Sequence, residues 1–263
     1  MKVAVISVVP TCGKTVLCEI LGGVYSRSQG TKTAILSTGQ NKDLTEIVDC
    51  EDAVNTENPY VLKAIVENSS AEDKDLLNYG ARAGDEFVYV YDIMNSIMSE
   101  KEKQDFLVSA IDNIPADLTL VEIVGNYNSE LNREVYKHCN CMLVLVPQSK
   151  KGLRKFKEFM DNFPNPLLKM NSAVVLAQDD PLICSDKKFC EQLNMKVTSL
   201  FRLPKNPVIS KLAFDGRLDR VIYDILIGES SVVNLRAPMQ ELMCFIFDDD
   251  RRKIIRSVDR WFR

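Results

Sequence analysis

Short apolar, β-branched runs alternate along the chain with stretches whose apolar residues recur at helical spacing. Runs at 2–9, 33–37, 87–91, 118–124, 141–147, 173–178 and 198–202 have strand length and composition. Helical periodicity follows the first run, with Val16, Leu17, Ile20, Leu21 and Val24 along one face. Further helices are expected near 59–68, 100–113, 129–139, 151–162, 186–193 and 238–247, besides 14–28. Strands alternating with helices predict an α/β fold: three layers, with a mostly parallel twisted sheet of about seven strands and helices on both faces. The nearly unbroken apolar character of 119–124 and 142–146 fits strands buried on both sides. The acidic stretch 67–75 reads as a solvated loop or helix end, or as the edge of an inserted helical segment.

The junction of the first strand and first helix carries candidate chemistry. Gly13-Lys14-Thr15 sits in the strand–loop–helix context in which a glycine-rich loop cradles phosphates. Backbone N–H groups of Thr11, Cys12, Gly13 and Val16 and the helix N-terminus would meet the anion. Lys14 would reach the β/γ-phosphates of ATP, and the Thr15 hydroxyl would hold Mg²⁺. The loop is incomplete: the first glycine of the pattern falls on Val8, and Pro10 removes one backbone donor.

Composition narrows the setting. A net charge of −4 argues against a globally basic nucleic-acid coat. Eight cysteines without a secretory signal point to a reducing cytoplasm. Cys139-x-Cys141 and Cys184-x₅-Cys190 lack the paired spacing of a zinc site, and His138 is the sole histidine, so these read as ordinary thiols. Cys12 is either an oxidation-sensitive thiol or a small residue tolerated in the loop. No apolar stretch approaches ~20 residues, so nothing is expected to span a membrane.

The last residues differ in character from the rest. Ile254, Ile255, Val258, Trp261 and Phe262 form one helical stripe. Arg251, Arg252, Lys253, Arg256, Arg260 and Arg263 flank it against Asp259 alone, so six positive charges less one leave five. Asp248-Asp249-Asp250 precedes this segment as a hinge would. Residues 1–247 are therefore expected to form the globular domain, and 248–263 a basic amphipathic helix suited to an anionic bilayer surface. Packing of the stripe on the domain and nucleic-acid binding are the competing uses.

Four segments together resemble the deviant-Walker ATPases of the MinD/ParA family, including its CpaE/TadZ-like members. They are Gly13-Lys14-Thr15, the acidic strand of 116–125 with Glu122, the strand of 139–148 followed by a helix near Gly152-Leu153, and 203–213 with Pro204 and Asn206. The resemblance implies a P-loop NTPase fold of the SIMIBI type. It also implies ATP and Mg²⁺ as cofactors, Pro204 and Asn206 beside the adenine, and a nucleotide-favoured homodimer. Lys14 and Glu122 would be the catalytic pair, with Glu122 holding the Mg²⁺ shell through water; a solvent-facing carboxylate is the alternative. The family's early loop lysine, which reaches across the dimer, is replaced by Val9. Acids that usually close the second strand are absent from Ile35-Leu36-Ser37-Thr38-Gly39, with Asp43 or Asn41 as possible substitutes.

These departures favour binding over turnover, because phosphoryl transfer rests on positioning and charge neutralisation. The expected protein is cytoplasmic and peripherally membrane-associated, and recruits an unidentified partner of a division, pilus or conjugation system. A non-hydrolysing scaffold is the second reading. The third is a ParA-like DNA-segregation protein using Lys150, Lys151, Arg154, Lys155 and Lys157. Ligases resembling dethiobiotin synthetase share the sheet order, but nothing specifies a small-molecule acceptor.

Overall fold

The computed structural model describes residues 1–10, 12–39, 50–51, 81–83, 88–91, 99–162, 171–180, 188–189, 191 and 200–247. The helix expected at 59–68, the acidic stretch 67–75 and the tail beyond 247 lie outside the described residues, as does most of the helix expected at 186–193.

Seven strands form a parallel sheet. They are β1 (Lys2–Ser7), β2 (Thr33–Ser37), β5 (Val88–Tyr91), β6 (Leu118–Glu122), β7 (Cys141–Pro147), β8 (Asn171–Asp179) and β9 (Leu200–Pro204). Their order across the sheet is β5-β2-β6-β1-β7-β8-β9. These correspond to the seven runs read from the sequence. Two short strands, β3 (Cys50–Glu51) and β4 (Ala81–Ala83), extend the β5 edge in antiparallel fashion and were not expected.

Successive residues of the central strands face opposite layers. In β7, Cys141, Leu143 and Leu145 belong to one core, whereas Met142, Val144 and Val146 belong to the other. The second core is covered by α2 (Glu100–Asn113), α3 (Glu130–Lys137) and α4 (Lys150–Asn162). A capping box fixes the start of α2: Glu102 N–H donates to Ser99 Oγ at 3.3 Å, and Ser99 N–H donates to Glu102 Oε2 at 2.8 Å. The first core is covered by α1 (Lys14–Gln29), α6 (Leu218–Ile227) and α7 (Val233–Ile246), with α5 (Pro207–Phe214) partly packed against them.

Helix α1 lies between the sheet and α6. All ten residues from Leu17 to Ser26 are buried. Two adjacent glycines permit this: a Cβ on Gly22 would meet Thr33 Cγ2 at 3.0 Å, and one on Gly23 would meet Ile222 Cδ1 at 2.3 Å. Helix α7 packs beside α1, and Phe247 at its end stacks on Tyr25 with ring centroids 4.6 Å apart.

Two expectations need correction. The helix read at 238–247 begins five residues earlier, at Val233, with Pro238 inside it. Burial of Leu235, Met239, Leu242, Met243 and Ile246 along one stripe outweighs the hydrogen bond lost at the proline. Helices α5 and α6 were not anticipated at all.

Gly152 tests the packing of α4 on β7. A Cβ there would lie 2.2 Å from the Pro147 carbonyl oxygen and 2.9 Å from Pro147 Cγ. Alanine is the better helix former by about 1 kcal/mol, yet this clash is with backbone. Gly152→Ala is expected to destabilise the fold by about 1–3 kcal/mol, measured as a lower urea midpoint with unchanged slope.

Candidate functional site

The first turn of α1 meets the carboxyl ends of β6 and β2. Gly13 caps the helix in a left-handed conformation, φ 85°, and its carbonyl accepts from Leu17 N–H at 2.9 Å. Parallel pairing sets Glu122 beside Val5 on one side and Ser37 on the other. The Thr15 hydroxyl donates to Glu122 Oε1 at 2.7 Å. Lys14 Nζ lies 3.5 Å from the same oxygen and donates to the Ile123 carbonyl. Glu122 is only 1% exposed, so it is not the solvent-facing carboxylate of the alternative reading. A buried charge of this kind needs both an opposite charge and hydrogen-bond donors, and it has both.

Glu19 lies one helical turn beyond Thr15 and is equally buried, at 1% exposure. Neither of its carboxyl oxygens has a hydrogen-bond partner. Burial, and then the nearby Glu122 carboxylate, hold its carboxyl well above the usual carboxylate range. Nothing in the sequence flagged this residue, since an acid within a helix ordinarily marks the solvent face. The usable signal was that its helix is apolar around most of its circumference.

The oxygen donors here fit a magnesium ion. Hard cations of this size take carboxylate, hydroxyl and water oxygens, which Thr15, Glu122 and the orphaned Glu19 would supply. With Mg²⁺ bound, the site would gain a Lewis acid able to neutralise phosphate charge.

Beside the loop is a cavity of about 240 Å³. Cys12, Gly13 and Val16 form one wall; Pro204, Asn206 and Ile209 form the facing one, and Leu235 and Met239 lie on α7. The structure thus brings together the loop and the 203–213 segment, which are far apart in sequence. Asn206 is mostly engaged within the fold: its Oδ1 accepts from Val208 N–H at 2.9 Å and its Nδ2 donates to the Ser231 carbonyl at 2.9 Å. Gln178, which the sequence reading missed, also lines the cavity. It is the one non-glycine residue with positive φ, 56°, among the described residues, at the irregular pairing of β8 with β9.

Two of the loop's potential phosphate donors are missing or spent. Val8 N–H is bonded to the Leu145 carbonyl at 3.1 Å, and Pro10 has no N–H. The end of β2 carries Ser37, Thr38 and Gly39 without a carboxylate; Thr38 Oγ1 accepts from Val124 N–H at 2.9 Å, tying β2 to β6. Thr11, Asn41 and Asp43 lie outside the described residues, as do the tail residues Ile254, Ile255, Val258, Trp261, Phe262, Arg252, Lys253 and Arg256.

The remaining candidates are separate from this site. Lys150, Lys151, Arg154 and Lys157 are exposed on α4, and Lys155 pairs with Glu158 at 2.6 Å. Burial pushes the Cys139 and Cys141 thiols up to about 12 and also raises the Cys12 thiol, whose Sγ lies 2.6 Å from Ser7 Oγ. Thiols held protonated in this way are poor nucleophiles and poor ligands. No helix among the described residues is long and apolar enough to cross a membrane.

No protein-family model matches the sequence, and comparison with curated proteins finds no match. Solved structures do match. A ParA family ATPase from Chlorobium tepidum TLS aligns with a TM-score of 0.62 and 14% identity, over 90% of this chain and 96% of that one. The septum site-determining protein MinD from Pyrococcus horikoshii OT3, complexed with Mg-ADP, gives 0.64 and 13%, over 92% and 95%. An ATP complex of McdA from Cyanothece gives 0.61 and 14%, over 94% and 96%. The chain therefore has the fold of the MinD/ParA ATPases, as its motif order implied.

Glu19 makes stability depend on pH. Its carboxyl is held above the ~4.3 of an unfolded glutamate, so the folded chain binds the extra proton once the unfolded chain has released its own. The stabilisation is complete below that unfolded value and falls as pH rises toward the folded one, by up to about 1.4 kcal/mol per unit. Glu19→Gln is expected to remove this fall and to be the more stable protein near neutrality. Urea midpoints from roughly pH 4.5 to 7.5 measure it; a flat difference between the two proteins contradicts a raised Glu19 carboxyl.

Proposed function

We propose that the chain is a MinD/ParA-like ATP-binding spatial organiser. It binds ATP with Mg²⁺ at Gly13, Lys14 and Thr15, dimerises on doing so, and holds a membrane surface through its basic C-terminal segment. The observation that carries this reading is the Lys14–Thr15–Glu122 cluster at the start of α1. It lies in a fold shared with proteins whose structures hold Mg-ADP and ATP.

Each residue has a definable task. Lys14 would exchange its contacts with Ile123 and Glu122 for phosphate oxygens, and the helix N-terminus adds donors along the same line. Thr15 and Glu122 would hold the magnesium shell, and the ion would supply neutralisation of phosphate charge. The apolar cavity would take the base and ribose. Its ~240 Å³ is below the roughly 300–1,000 Å³ of pockets that enclose whole drug-sized ligands, which fits phosphates lying outside it over the loop.

Hydrolysis would be slow. Val9 stands where a cation would cross to the partner's γ-phosphate, and the end of β2 offers no carboxylate to place water. An arginine supplied in trans is worth ~10³–10⁵ in rate, so losing groups of comparable role leaves a switch governed by nucleotide exchange or by a partner. Dimerisation would bring two tails together, and effective concentration makes the second insertion nearly intramolecular. The bound pair would recruit a division, pilus or conjugation machine from the cytoplasm.

The exposed cations of α4 support a second reading, non-specific DNA binding through phosphate contacts, whose mark is a steep loss of affinity with salt. Pairing of Arg154 and Lys155 with Glu158 at 3.8 and 2.6 Å reduces the charge available for it.

Two experiments test the main reading. Lys14→Ala should weaken Mg·ATP binding by about 1.5–3 kcal/mol, the worth of a charge-assisted hydrogen bond, or roughly ten- to hundredfold; unchanged affinity in a folded variant rejects the site. Removal of residues 251–263 should abolish co-sedimentation with anionic vesicles and leave Mg·ATP affinity intact. Equal sedimentation of truncated and full chains rejects the membrane role.

A further inference from the structure

We infer that Glu19 is a second carboxylate of the magnesium site, entering from α1. This rests on the nucleotide-binding reading above and adds to it a residue that no motif contains.

The placement comes from helix and strand periodicity. Thr15, Glu19 and Gly22 fall at i, i+4 and i+7, one stripe of α1. The upper member, Thr15, is bonded to Glu122 at 2.7 Å. The lower member, Gly22, is backed by Thr33, Ile35 and Leu120, which belong to β2 and β6. Glu19 therefore lies over the β2–β6 pair, between the hydrophobic contact below and the Ser37–Glu122 register position above. At that position Ser37 offers no carboxylate, and its Oγ is occupied with the Gly39 carbonyl at 2.9 Å.

The side chain is buried and its two oxygens are orphaned. The charged group that bears on it is another carboxylate, Glu122. A glutamate left in that condition is a net cost, whereas leucine or alanine would serve the helix better. A divalent cation would offset both neighbouring carboxylates. Mg²⁺ dehydrates reluctantly and keeps several waters, so Glu19 would hold the ion's hydration shell as a hydrogen-bond acceptor and Thr15 would supply a hydroxyl. It is a positioning residue for the metal shell, and its expected effect is on metal affinity rather than on the base or the phosphates.

The test uses the full chain, ADP and Mn²⁺ as a paramagnetic probe, with free Mn²⁺ measured by electron paramagnetic resonance. The isosteric Glu19→Gln variant should bind Mn²⁺ in the presence of ADP at least tenfold more weakly than wild type. Its ADP affinity without metal should be unchanged, and its metal-free unfolding midpoint should be no lower. Glu19→Asp, which keeps the charge but shortens the reach, should fall between the two. Mn²⁺ affinity of Glu19→Gln within twofold of wild type, with ADP bound, overturns the inference while leaving the nucleotide site standing. A wild-type chain that binds neither ADP nor Mn²⁺ overturns both.

Discussion

Two carboxyl groups and one ammonium group lie under the start of α1, largely shut off from water, and this concentration of buried charge constrains the rest of the site. Glu122 is held in place by strand register, flanked by Val5 and Ser37. Thr15 and Lys14 are held in place by the helix that begins at Gly13. Helix and strands must therefore keep their relative height to within the reach of a 2.7 Å hydrogen bond. The paired glycines of α1 and the apolar layers around it set that height. Replacing one partner would leave a charge in the interior with nothing to balance it, a far larger penalty than the net gain from an intact pair.

The same arrangement explains why this site reads as a holder of nucleotide more readily than as a fast hydrolase. The loop has one amide turned into the sheet and one proline, so it offers the phosphates fewer donors than a fully glycine-lined turn would. Of the polar residues that close β2, Thr38 knits that strand to β6 and Ser37 is bonded to Gly39. What remains well built is the part that grips: a lysine, a hydroxyl, a helix N-terminus and an apolar recess. On the proposed reading, preorganised grip without matching stabilisation of the transition state would give occupancy rather than turnover.

Legibility in the sequence tracked the range of the interactions involved. The parallel strands were plain because both of their faces are buried, which leaves long apolar runs with no competing period. Helix α2 has the predicted bounds of 100–113, and the structure adds the cap that Ser99 and Glu102 form at its start. Helix α5 was not plain, because it is only eight residues long and none of its residues is fully buried. The start of α7 was misplaced by reading Pro238 as a first-turn residue, when a tertiary stripe carries the helix through it. Within the site, Lys14 and Thr15 were legible from local spacing, and Glu122 through the family resemblance. Glu19 and Gln178 were not, because one is defined by what a helix is sandwiched between and the other by an irregularity between two strands.

The stacking of Phe247 on Tyr25 has a geometric consequence. Tyr25 lies eleven positions beyond Lys14, which at 1.5 Å per residue puts the two about 17 Å apart along the helix axis. The stack thus fixes the end of α7 to the foot of the very rod whose head holds the Gly13–Thr15 turn. Every residue of that rod from Leu17 to Ser26 is buried, so its head and foot shift as one body and α7 shifts with them.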